Sequence, residues 1–155
     1  CARATAALAA AHFELARCPL LVPPTEWASA KWGGNKAALA DGMLAFSSTP
    51  IHKQLTRIDE GDLSAKFYKE VIKHALLQFK SLLGFMGERK IPYPDEAGEE
   101  WLRVGVRCKQ LHGEMYMQLM KQLTQNPSEA STDRGWQLFV ATLTHFPPPK
   151  PLENY

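Results

Sequence analysis

The side chains able to make or break covalent bonds are few in this chain and poorly spaced for it. His12, His52, His74, His112 and His145 show neither an HExxH helix nor any other metal-ligand spacing. No serine lies in a GxSxG turn, and Gly33, Gly34 and Lys36 lack the spacing of a phosphate-binding loop. Cys108 and His112 stand four residues apart, so on one helix they would be neighbours with the makings of a thiol nucleophile and its base. Gly113 and the lack of a third member weigh against that use. Cys1, Cys18 and Cys108 form no CxxC pair, which points away from a disulfide framework or zinc knuckle and towards a reducing cytoplasm. We expect no catalysis, no metal and no cofactor.

Non-covalent chemistry has better material. The net charge of +2 on 155 residues is too small for a duplex nucleic-acid binder, so any basic function must come from local clustering. Lys66, Lys69, Lys73 and Lys80 supply it, falling within about 60° on a helical wheel, just outside an apolar arc. Such a ridge attracts an acidic surface in a way that weakens with salt. Its plainer reading is a solvated helix face, with Glu70 diluting the charge. Arg103, Arg107 and Lys109 form a weaker patch. The loop from Gly87 to Asp95, with Arg89, Lys90 and Tyr93, is a second candidate surface or else a passive connector.

Helices must position these residues. With 45% hydrophobic and 22% charged residues the chain can bury a core. Leu8, His12 and Leu15 are spaced for a first helix ending at Pro19. Trp27 and Trp32 lie in a segment broken by Pro23, Pro24, Gly33 and Gly34. A second helix is expected over Lys36 to Phe46, then a short amphipathic piece through Ile51, Leu55 and Ile58.

The clearest element runs from Ser64 to Met86, with Asp62 or Ser64 as cap and Gly87 as stop. Its predicted buried arc holds Phe67, Tyr68, Val71, Ile72, Ala75, Leu76, Phe79, Leu82, Leu83 and Met86. Glu99 and Glu100 suit the start of a helix carrying Trp101, Leu102, Val104 and Cys108 inward. From Glu114 onward, Met115, Tyr116, Met117, Leu119, Met120 and Leu123 form an apolar face, opposite Glu114, Gln118, Lys121, Gln122 and Gln125. Ser131 or Thr132 is expected to cap a last helix that turns Trp136, Phe139, Val140, Leu143 and Phe146 to the core. No strand, heptad seam, fixed repeat or membrane-length apolar run is present, so the expected fold is an all-α bundle of about six to eight helices.

Four motifs then fall in a fixed order: FMG at Phe85 to Gly87, EMYMQLMKQLTQNP from Glu114 to Pro127, RGWQL from Arg134, and FPP from Phe146 ahead of Leu152 and Tyr155. Together with PIHKQL from Pro50, this order resembles the myosin tail homology 4 domain, found in tails of unconventional myosins and some kinesins. His112 and Gly113 replace an Arg-Asp pair usual in that family. The resemblance implies a single domain over residues 1–155, a piece of a longer motor protein, cytoplasmic and cytoskeleton-associated. It implies a non-catalytic module that binds microtubules or cargo and adaptor proteins, with Lys66, Lys69, Lys73 and Lys80 as the candidate contact. The alternative is a scaffold packed against an adjacent FERM domain that itself holds the cargo peptide. Glu114, Arg134 and Trp136 are assigned structural roles, Glu114 and Arg134 either meeting across adjacent helices or both being solvated.

Overall fold

The computed structural model describes residues 15–28, 42–58, 61 and 64–155. The helix expected through Leu8 and His12, the Trp32 to Gly34 stretch and the start of the second helix lie outside the described residues; of that second helix, residues 42–44 are seen helical. A short helix α1 (Pro24–Trp27) and four long ones follow: α2 (Ala65–Met86), α3 (Pro94–Arg107), α4 (His112–Leu123) and α5 (Glu129–His145). Among the described residues there is no strand, only one antiparallel bridge between Leu21 and Thr56. The fold is all-α.

Local chemistry sets the helix ends. The Ser64 hydroxyl accepts the Phe67 N–H at 3.3 Å, satisfying one of the free amides of the first turn of α2. Gly87 ends the helix at φ 85°, where a side chain is strained. α3 starts earlier than Glu99, because Pro94 is preset for a first helical position and Asp95 and Glu96 lie in the positive first turn. It stops at Arg107, and a 3₁₀ turn (Lys109–Leu111) leads into α4. Ser128, not Ser131 or Thr132, caps α5, its hydroxyl accepting the Ser131 N–H at 3.2 Å.

Helix α4 is the centre of the molecule, with every residue from Glu114 to Leu119 buried. The elements around it pack against one another at glycines. A Cβ on Gly98 would stand 2.6 Å from Phe85, and one on Gly105 would stand 2.0 Å from the Phe146 ring, so these backbones approach where only hydrogen fits. Trp101 ties α3 to α5 through its indole N–H, which donates to the Thr142 hydroxyl at 3.1 Å.

Two expectations about faces need correction, and a third holds on an extended backbone. Phe67, in the first turn of α2, is 49% exposed rather than buried. Ile51, Leu55 and Ile58 are buried as their spacing suggests, yet the segment is not helical; residues 55–57 run extended beside residues 20–22, with Val22 N–H donating to Leu55 O and Arg57 N–H to Leu20 O. The largest change is in α5, whose core-facing line is Ser131, Gly135, Leu138 and Thr142. Gly135 faces Leu123 and Met86, each 2.8 Å from where a Cβ would be, so small residues let α5 approach. Trp136, Val140 and Leu143 are thereby turned outward, at 53%, 58% and 47% exposure.

Candidate binding surfaces and the frame that holds them

Helix α4 shows why polar residues of its long motif are not on the surface. The carboxylate of Glu114 is fully buried and accepts hydrogen bonds from the Leu55 N–H at 2.9 Å, the Thr56 N–H at 2.7 Å, the Thr56 hydroxyl at 2.6 Å and the Gln118 amide at 2.9 Å. Burial pushes its carboxyl above the ordinary range, and these donors from Thr56, Leu55 and Gln118 oppose that shift. Gln118 also donates to Ala75 O of α2 at 3.0 Å. Gln122 pairs in both senses with the backbone of Ser47, at 3.1 and 3.0 Å.

Lys121 reaches the same irregular segment. Its ammonium donates to Gly42 O at 3.2 Å and to Ala45 O, and lies 5.9 Å from the centre of the Trp27 ring. With no carboxylate in range among the described residues, burial lowers its pKa to about 8. Asn126 closes the motif by donating to Gln122 O and to Ser131 Oγ, both at 3.0 Å. The face that amphipathicity assigns to water therefore serves segment 42–58, whose backbone has little regular secondary structure to satisfy it.

Glu114 and Arg134 do not meet. Arg134 instead stacks over the Phe85 ring at 4.3 Å, donates to Phe85 O, and pairs with Asp95 at 2.7 Å. It thus joins the FMG motif at the end of α2 to the start of α3. The separation from Glu114 is topological: Glu114 faces the segment at Leu55, while Arg134 faces the α2–α3 connection. Cys108 and His112 are likewise on different elements; Cys108 Sγ lies 3.6 Å from Gln110 Oε1, and His112 stacks on Phe146 at 4.4 Å and bonds Gly105 O at 2.8 Å. That geometry gives the thiol no base. Among the described residues no cluster of His, Cys, Asp or Glu fits a metal ion, and no helix is long and apolar enough to cross a membrane.

Two surfaces remain for partners. Lys66, Lys69, Lys73 and Lys80 are all exposed along α2. Lys73 lies 3.6 Å from Glu70, and among the described residues no carboxylate is in ion-pair range of the other three. Arg103, Arg107 and Lys109 are also exposed, but Arg103 is paired with Glu100. The second surface was not legible in sequence: Trp136 and Leu143 of α5, with Met120 and Leu123 of α4 and Tyr155, line an apolar depression of about 540 Å³. Tyr116 lies at its floor, its hydroxyl donating to Phe146 O at 2.7 Å and its pKa raised by burial to about 12.

Comparison with known proteins agrees with this arrangement. The MyTH4 domain family model matches residues 98–155, the part that contains most of α3 and all of α4 and α5. The high molecular weight form of myosin-1 from Acanthamoeba castellanii is 37% identical over 131 residues, 84% of this chain and 8% of that protein. Among solved structures, the MyTH4-FERM MF2 domain of Dictyostelium discoideum myosin VII superposes with a TM-score of 0.64 at 21% identity, over 83% of this chain and 24% of that one. The human myosin 7b C-terminal MyTH4-FERM domain, solved in complex with harmonin-a PDZ3, gives 0.61 at 29% identity, over 72% of this chain and 23% of that one. The chain thus spans a small part of the proteins it matches. Its four motifs, gathered around one buried helix, and the matched segment together place residues 98–155 in the MyTH4 domain family.

Proposed function

We propose that this chain is a non-catalytic tail module of a cytoskeletal motor, an unconventional myosin or a kinesin, and that it binds microtubules or cargo proteins through the ridge of Lys66, Lys69, Lys73 and Lys80. The observation that carries the reading is the exposure of all four lysines along one side of α2, with Glu70 the one acidic neighbour in pairing range among the described residues. Summed attraction of this kind raises association rates towards an acidic surface and fades within a Debye length of about 8 Å at physiological salt. The similarity to myosins favours a myosin parent, and the motor chemistry belongs to other parts of such a protein.

A second reading rests on the outward apolar face of α5. Trp136, Val140 and Leu143 present surface that water does not favour, which suits a scaffold packed against a neighbouring domain such as FERM. Co-sedimentation with microtubules, with actin as control, at low and moderate salt separates the two. Salt-sensitive pelleting with microtubules, lost when all four lysines become glutamine, supports the first reading. Absence of pelleting, with docking to a FERM partner that resists salt, supports the second.

A further inference from the structure

We propose that the groove between α4 and α5 is a docking site for a basic amphipathic helix supplied by a partner protein. This rests on the second reading above, that the outward side of α5 is a contact surface, and adds the chemistry of what contacts it. The groove is the apolar depression of about 540 Å³ beside Trp136, and its walls are regular. Tyr116, Met120 and Leu123 of α4 face Trp136, Phe139 and Leu143 of α5 across it, each set advancing seven residues, or about 10 Å. That is the two turns over which a helix laid alongside presents side chains at i, i+3 or i+4 and i+7. The aromatic part of the wall is set in place before a partner arrives, since Phe139 meets Tyr116 edge-on at 5.8 Å and Trp136 at 5.5 Å.

Hydrogen bonding selects a helix over an extended chain. The hydroxyls of Tyr116 and Thr124 in the wall already donate, to Phe146 O and Met120 O, both at 2.7 Å. An extended chain would bring its backbone N–H and C=O groups against mostly apolar surface, whereas a helix satisfies its own.

Charge selects the sign of that helix. Glu153 is the one charged residue among the described residues lining the groove, and Lys150 stands outside the lining. Glu129 and Asp133, both exposed, share an arc of about 80° on the α5 wheel with Trp136, Val140 and Leu143, so the outward stripe is acidic at one end. Among the described residues none of these three carboxylates is in ion-pair range of a cation. Lysines or arginines flanking the apolar anchors of a partner helix complement them, and an acidic helix is repelled. The preference is thus opposite to that of the lysine ridge on α2. The start of this chain fits the groove less well, because the large apolar side chains of residues 1–14 are Leu8 and Phe13, about 140° apart on a helical wheel.

Fluorescence anisotropy on the full 155-residue chain tests it, using a labelled alanine-based helix of about four turns with Leu at i, i+3 and i+7 and flanking lysines. Saturable binding is expected, weakened roughly tenfold when the lysines become glutamates or when a central proline breaks the helix. Trp136→Gln and Leu143→Gln should each weaken it roughly tenfold with the urea midpoint unchanged, since both side chains are about half exposed. Glu153→Lys, a surface change, should lower affinity several-fold, and glutamine at Lys66, Lys69, Lys73 and Lys80 should leave it unaltered. The proposal is overturned by no saturable binding or by equal binding of the lysine, glutamate and proline peptides. It is also overturned if Leu8→Ser with Phe13→Ser raises affinity tenfold, which would give the groove to the start of this chain, or if Trp136→Gln abolishes a dimer seen in sedimentation, which would give it to a second copy. If no peptide binds while a FERM partner docks and is weakened by Trp136→Gln, the contact-surface reading stands and this inference falls; if Trp136→Gln changes neither, both fall.

Discussion

Replacing Glu114 by alanine should be among the most damaging single changes in this protein. The side chain is fully buried, and its carboxylate accepts from two backbone amides, one hydroxyl and one side-chain amide. After truncation Gln118 keeps its bond to Ala75 O, but the amides of Leu55 and Thr56 lose the acceptor they share. Each buried donor left without a partner costs ~1–3 kcal/mol, and relief from holding a desolvated carboxyl offsets part of the sum. Two such donors sum to ~2–6 kcal/mol before the offset, so a net loss of ~2–5 kcal/mol is expected, a large share of the ~5–15 kcal/mol typical of a folded domain. With a urea slope of ~2 kcal/mol per molar, the unfolding midpoint should fall by about 1–2.5 M at neutral pH. Glu114→Gln keeps the shape and one acceptor oxygen, so it should lose roughly half as much. Urea unfolding followed by circular dichroism is the assay, with the exposed Glu99→Ala as the reference for an acidic residue that anchors nothing. If Glu114→Ala and Glu99→Ala shift the midpoint equally, the claim that this carboxylate fastens residues 55–56 to α4 is wrong.

Other consequences are open to direct measurement. Gly105→Ala would drive a methyl to 2.0 Å from the Phe146 ring, so a loss of ~1–3 kcal/mol or more is expected in thermal unfolding; a neutral result would show that the ring can move aside. Lys121 is held at about 8, against ~10.4 for a lysine in the unfolded chain. Below about 8 both states are protonated and this group adds no slope; between the two values the unfolded chain binds more protons, so stability should rise with pH. Lys121→Met should abolish that rise, and persistence of the full slope would remove Lys121 as its source. Arg134→Ala should cost more stability than Asp95→Asn, because Arg134 also holds Phe85 O and its ring while Asp95 is largely solvated; the reverse order in urea would refute that. Changing Lys66, Lys69, Lys73 and Lys80 together to glutamine should leave the helical circular dichroism signal unchanged and reduce microtubule pelleting, with unchanged pelleting moving the contact off α2.

Local signals in the sequence determined what is decided within a few residues. Ser64 and Gly87 bound α2, Pro94 and the prolines after Phe146 limit the helices beside them, and the spaced motifs carry the family, because capping geometry and backbone restriction act over one helical turn. The exposure of the lysine ridge was legible for the same reason: it lies outside a strongly apolar arc. What tertiary structure decided is which face of a helix the rest of the chain needs. The polar side of α4 is inside because residues 42–58 bring backbone groups that Glu114, Lys121 and Gln122 answer, and burial of a polar side chain is favourable when it answers another buried polar group. α5 shows the converse, since close approach at Gly135 against Leu123 and Met86 turned a small-residue line inward and left Trp136 outside, a choice set by the shape of helices distant in sequence.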